Sequence, residues 1–159
     1  MLGRLSARLC LALGGSAPTV WEVNPARAAG AVGYPVVTPE SDERTDYARA
    51  LDVSGDSGIL DTVVPRMQRR GAVVLAGFYA EPVRFAFPPA FQRETEILVA
   101  AEWHREDLAA VSRMVEEGRL SLAGLITHTA QACEAPTAYQ RAFEDPNCLK
   151  MVLDWRDTR

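Results

Sequence analysis

Apolar positions in the first half of this chain follow two different periods. Leu2, Leu5, Leu9 and Leu13 fall at helical spacing and predict a helix over 3–13, stopped by Gly14-Gly15. Pro18 to Glu22 is a short apolar run that predicts a buried strand, and Tyr34 to Thr38 is β-like. Asn24-Pro25 has the form of an N-cap and first turn, opening a short alanine-rich helix through Ala31. Glu40 to Asp46 is charged and predicts a surface loop. Residues 46–54 stay open: Tyr47 to Leu51 favours helix by propensity, whereas Asp52-Val53-Ser54-Gly55 has the look of a strand entering a turn. Ile59, Leu60, Val63, Val64 and Met67 define one helical face within 56–70, kinked at Pro65 and closed by the cations of Arg69-Arg70 before Gly71. Ala72 to Ala76 is apolar without interruption and ends at Gly77, as expected of a strand inside a parallel sheet.

The second half alternates more loosely. Val83 to Phe87 alternates apolar and polar residues, and Glu96 to Ala101 predicts a strand. Arg105 to Glu117 predicts an amphipathic helix with Leu108, Val111 and Met114 on one face, stopped by Gly118. A strand at Leu125–His128, a helix at Glu134–Glu144 and a final strand at Leu149–Leu153 complete the series. Helix and strand in alternation give an α/β class with a parallel sheet.

Composition narrows the function. With 159 residues there is room for one cored domain plus a short appendage. A net charge of -4, and no basic cluster with interleaved aromatics, argues against a nucleic-acid surface. No apolar run approaches the roughly 20 residues that span a bilayer. Residues 1–20 carry Arg4 and Arg8 and no acid, the outline of a targeting peptide, but the apolar core Leu9–Leu13 is short and the leucines keep helical spacing. Cys10, Cys133 and Cys148 form no C-x-x-C pair, which fits a reducing cytoplasm and predicts buried, inert thiols. His104, at the head of a helix beside Trp103, suits a cap better than a general acid, and His128 suits a structural role. No catalytic residue and no metal set is read from this chain.

Position gives Glu22 its weight. In a dinucleotide-binding βαβ unit a glycine-rich turn opens a helix, a strand follows, and an acid at that strand's end grips the adenosine ribose about 20 residues on. Leu2 and Gly3 stand where the turn would end, and Glu22 where the acid would stand. A carboxylate there would repel the 2′-phosphate of NADP, so it points to NAD. Arg27 could reach the same ribose, and equally could be a solvated helix charge. Val53-Ser54-Gly55 and Ala76-Gly77-Phe78 each end an apolar run with small residues, where a cofactor crossing the strand ends could approach the backbone or where the chain simply turns. Only Met1 and Leu2 precede Gly3, so the expectation is the downstream part of a larger enzyme, its sheet lacking a first strand.

Glu22-Val23-Asn24-Pro25, Asp52-Val53-Ser54-Gly55, Val74-Leu75-Ala76-Gly77 and Leu149-Lys150-Met151-Val152-Leu153 resemble the C-terminal half of the medium-chain, zinc-type alcohol dehydrogenases. Ala76 to Pro82, Ala101 to Leu108 and Cys148 to Trp155 look, more narrowly, like the branch of that family that serves bacteriochlorophyll synthesis. The resemblance implies a Rossmann-like domain over 1–100 and a segment, 101–159, that returns to a catalytic domain absent from this chain. It implies oxidation of the 3-(1-hydroxyethyl) group of a (bacterio)chlorophyllide to 3-acetyl, with hydride passed to NAD. On the family pattern Leu2 and Gly3 finish the pyrophosphate loop, and Glu22, Asn24 and Arg27 hold the adenosine ribose. Val53, Ser54, Ala76, Gly77 and Phe78 line the nicotinamide side, Ala100 lies near the carboxamide, and Lys150 stands against the pyrophosphate. A homo-oligomer is compatible with it. The alternative is a stand-alone, non-catalytic NAD-binding or interaction module.

Overall fold

The computed structural model describes residues 1–156. The chain folds into two compact units: Gly3–Val36 with the stretch from Ala110 onward, and Val37–Ala109.

In the first unit, α1 (Leu2–Ala12) ends as its glycines demand. Gly14, at φ 80, donates to Leu11 O, and Gly15 donates to Cys10 O, each at 2.9 Å. These two bonds form a Schellman stop, and a Cβ on Gly15 would lie 2.9 Å from the Cys10 carbonyl. β1 is only Val20–Trp21, half-buried, where a buried strand over 18–22 was expected; it pairs with β2 (Val36–Val37). Between them α2 (Pro25–Ala28) starts where Asn24 Oδ1 accepts the Ala26 N–H at 3.0 Å, and it closes at Ala28, short of Ala31. Further on, α5 (Arg105–Glu116) opens with the His104 backbone N–H donating to Asp107 Oδ2 at 2.8 Å, so the Asp107 carboxylate makes the side-chain bond at the helix start and His104 is exposed. β6 (His128–Gln131) starts three residues later than expected, at His128 rather than Leu125. It runs parallel to β7 (Met151–Asp154), with α6 (Ala135–Glu144) as the crossover.

The second unit is a three-stranded parallel sheet in the order β3-β4-β5, with β3 Tyr47–Asp52, β4 Met67–Leu75 and β5 Glu96–Val99. Residues 47–52 are strand, not helix: ladder pairing to β4 decides against local propensity. The expected helix over 56–70 is corrected. α3 spans only Leu60–Val63, one 3₁₀ turn follows at Val64–Arg66, and Met67 is already extended. Pro65 has no N–H to continue a helix, and the sheet claims the residues after it. Arg69 and Arg70 therefore stand in β4 rather than capping a helix. The apolar face itself holds, since Leu60, Val63, Val64 and Met67 are all core. α4 (Phe87–Arg93), with Pro88 and Pro89 in its first turn, has no counterpart among the sequence expectations.

The thiols also depart from expectation. Cys133 is exposed, and Cys10 and Cys148 are half-buried. Among the described residues no helix is long and apolar enough to cross a membrane.

Candidate functional site

Three parallel strands that end level with one another make a natural ligand rim. Register pairs Asp52 with Leu75, and Leu75 with Val99, so β3, β4 and β5 finish at one height. Every residue read as nicotinamide-side lies within three positions beyond those ends: Val53 and Ser54 after β3, Ala76, Gly77 and Phe78 after β4, Ala100 after β5. Ala76 N donates to Asp52 O and Ala100 N to Leu75 O, both at 2.9 Å, carrying the ladder one step past the strands. Phe78 is fully exposed, at 101%.

Glycine is required on this rim at Gly55. Its φ is 78, and a Cβ there would lie 2.8 Å from the Phe78 carbonyl oxygen. A Cβ on Gly77 would come within 3.1 Å of Gly55 N and 3.4 Å of the Tyr79 ring. The turns after β3 and β4 are thus packed backbone to backbone. Bare backbone at the rim fits a flat ligand ring that must approach closely.

The residues read as ribose-side meet in the first unit. Glu22 Oε1 accepts the Asn24 N–H at 2.9 Å, which turns the chain from β1 into α2. Asn24 Nδ2 (3.4 Å) and Arg27 Nε both donate to the Pro146 carbonyl. Arg4 in turn donates to the carbonyls of Arg27 and Ala29, fixing α1 against α2. The Met1 amine at the head of α1 is lowered from its ordinary value, first by burial and then by the charge of Arg27, with Glu22 opposing and Arg4 adding. The bonds of Arg4 thus bring the first turn of α1 beside α2 and Arg27, with Glu22 at the entry to the same helix. The first N–H groups of a helix have no partner within it and favour an anion. Glu22 supplies an acceptor beside them. Arg27 keeps donors beyond the one it gives to Pro146, since a guanidinium carries five. This donor and acceptor set fits a phosphate next to a diol.

Lys150 is exposed in the turn before β7. Its carbonyl accepts from Thr127 N (3.1 Å) and His128 N (3.2 Å). His128 Nε2 lies 3.4 Å from Asp145 Oδ2, and its Nδ1 lies 2.9 Å from Thr127 Oγ1, a structural placement.

Two features escaped sequence reasoning. One is the loop at Asp145–Cys148, whose Pro146 carbonyl ties Asn24 and Arg27 from 122 and 119 residues away. The other is Asp52, a buried carboxylate at the end of β3 that accepts from the Tyr79 hydroxyl. The only local signal for Asp52 was an acid closing a strand before Val-Ser-Gly.

No family model matches this chain. Among the relatives that match are the 2-desacetyl-2-hydroxyethyl bacteriochlorophyllide A dehydrogenases of Rhodobacter capsulatus (56% identical over 158 residues) and Cereibacter sphaeroides (53% over 157). Each match takes in 99% of this chain but only 50% and 49% of the relative, so the chain spans about half their length. Among solved structures, L-idonate 5-dehydrogenase of Escherichia coli superposes with a TM-score of 0.83 at 18% identity, over 97% of this chain and 47% of that one. An E. coli CFT073 protein described as a short chain alcohol dehydrogenase, solved with NADH, reaches 0.80 at 17% identity, over 94% and 48%. Over most of its length the chain shares the fold of the matching parts of these two dehydrogenases. Over the stretch it covers, the chain is homologous to the bacteriochlorophyllide dehydrogenases.

Proposed function

We propose that this chain supplies the cofactor-binding part of an NAD-dependent dehydrogenase that oxidises the 3-(1-hydroxyethyl) group of a (bacterio)chlorophyllide to 3-acetyl, in bacteriochlorophyll synthesis. The observation that carries the reading is the convergence of Glu22, Asn24, Arg27 and the head of α1, where an adenosine ribose and its phosphate find an acceptor and donors together. Leu2 and Gly3 would close on the pyrophosphate from that helix start, and Lys150 would add a cation. The level strand ends at Val53, Ser54, Ala76, Gly77, Phe78 and Ala100 would receive the nicotinamide. Glu22 selects NAD over NADP by repelling a 2′-phosphate.

Bound NAD would supply the hydride acceptor for the alcohol carbon, and the hydroxyl proton would be taken up by the catalytic domain of the whole protein. The chain's own part is to bind and orient: it fixes the ribose, presents bare backbone to the nicotinamide, and holds its ring at the rim of the sheet. Residues 101–159 serve, in the same proposal, a catalytic domain supplied elsewhere in the whole protein. The macrocyclic substrate rests on the names of the two relatives.

A chimera tests this. The matching half of the Rhodobacter capsulatus enzyme is replaced by this chain, and NADH formation with the hydroxyethyl bacteriochlorophyllide is followed. Turnover comparable with the parent is expected, and Glu22→Ala in the chimera should raise KM for NAD by about 10–100-fold. A folded chimera that binds the chlorophyllide but neither binds nor reduces NAD would contradict the proposal.

A further inference from the structure

Asp52 is 7% exposed, and three bonds run from it to the two rim turns. Its Oδ1 accepts the Ser54 N–H at 2.9 Å, which shapes the turn after β3. Its carbonyl accepts the Ala76 N–H at 2.9 Å, which holds the start of the turn after β4. Its Oδ2 accepts the Tyr79 hydroxyl, which holds that turn's far side. The same two turns touch through Gly55 and the Phe78 carbonyl, and through Gly77 and Gly55 N. The Tyr79 ring itself lies against Gly77, 3.4 Å from where a Cβ would stand.

We propose that Asp52 and Tyr79 form a positioning pair that sets the spacing of the two turns and so the width of the nicotinamide seat. The proposal rests on the NAD reading given above. Neither side chain is asked to touch the reacting atoms. Asp52 binds Ser54 and Ala76, and Tyr79 braces Gly77, so each holds residues of the seat from behind. A buried carboxylate makes a rigid anchor, because leaving any of its acceptor positions empty costs more than the bond itself is worth. Removing the Tyr79 hydroxyl therefore takes away the tie on the far side of the second turn and lets its spacing from the first relax there, while leaving the ring, the strands and the ribose-side residues in place.

The pair predicts a selective effect. ADP-ribose carries the adenosine, both phosphates and the second ribose of NAD, and lacks only the nicotinamide. The 159-residue chain, Tyr79→Phe and Asp52→Asn are titrated with NAD and with ADP-ribose, and each is checked by thermal melt. Tyr79→Phe should weaken NAD by about fivefold or more and leave ADP-ribose unchanged. Asp52→Asn keeps only one of the two side-chain acceptors in use, so it should show the same NAD-selective loss, and it carries the test if Tyr79→Phe does not fold. Equal losses for NAD and ADP-ribose would mean a merely structural bond and would overturn the proposal. So would a folded Tyr79→Phe with unchanged NAD affinity. Wild-type protein that binds ADP-ribose no less tightly than NAD would remove the nicotinamide seat alone. Wild-type protein that binds neither would overturn the NAD reading and the pair's role with it.

Discussion

Arg70 and Glu94 are the two non-glycine residues at positive φ among those described, at 60 and 50, and they are ion-paired to each other at 2.6 Å. Arg70 sits where the β3–β4 register jumps, between Tyr47↔Met67 and Arg49↔Ala72. Glu94 ends α4 in the left-handed region and also takes Arg69. The pair thus joins the irregularity in the first half of β4 to the turn that leads from α4 into β5, at the end of the sheet opposite the proposed cofactor rim.

A ranking of variants follows from this geometry. Glu94→Gly loses the pair but relieves the left-handed backbone, whereas Glu94→Ala loses the pair and keeps the strain. Thermal melts should place wild type highest, then Gly, then Ala. The pH dependence has a fixed sign. The Arg70 and Arg69 guanidiniums hold the Glu94 carboxyl down to about 2 from its ordinary 4.5. Its contribution is complete above 4.5 and is lost as pH falls through 2. The stability difference between wild type and Glu94→Gln should shrink over that window and be constant at neutral pH.

Gly55 and Gly118 separate steric cost from backbone cost. Both have positive φ, 78 and 70, but a Cβ on Gly118 meets nothing within 4 Å, whereas on Gly55 it meets the Phe78 carbonyl at 2.8 Å. Gly118→Ala should cost about 1 kcal/mol from the backbone alone. Gly55→Ala should cost more, about 2–3 kcal/mol, because backbone must also move. Chemical denaturation of the two variants checks the order.

Tyr79 should titrate well above the ordinary range of a phenol. Burial first, and then the bond to Asp52, pushes its phenol from 10.0 up to about 12. The neutral phenol is the favoured form, so this support is full below pH 10 and lost as pH rises through 12. The ultraviolet titration difference between wild type and Tyr79→Phe should place this phenol near 12, and Asp52→Asn should bring it back toward 10. A phenol that ionises at its ordinary value in the wild type would contradict the Asp52–Tyr79 bond.

Local chemistry was legible where the residues that decide it are neighbours. Gly14-Gly15 stopped α1, Asn24 capped α2, and the Ala72–Leu75 run became the central strand of a parallel sheet. That Glu22, Val53 and Ala76 directly follow strand ends could be read because an apolar run closing on a small or acidic residue marks such an end. The helical face of Leu60 to Met67 named the core but overran the helix, since a face shared by a short helix and the strand after it looks continuous in one dimension. Tyr47–Leu51 stayed open because only pairing with β4 makes it a strand. Nothing near Asp52 reveals Tyr79, 27 residues on, and nothing near Arg27 reveals Pro146. Such contacts are set by packing, not by pattern.

In the proposed function, Glu22 and its neighbours hold the adenosine ribose of NAD. Calorimetric titration of the chain and of Glu22→Ala with NAD and NADP tests it most directly. The wild type should bind NAD at least about tenfold more tightly than NADP, and Glu22→Ala should weaken NAD by about 10–100-fold and erase the preference. Equal affinity for the two nucleotides in the wild type, unchanged by the substitution, would contradict it.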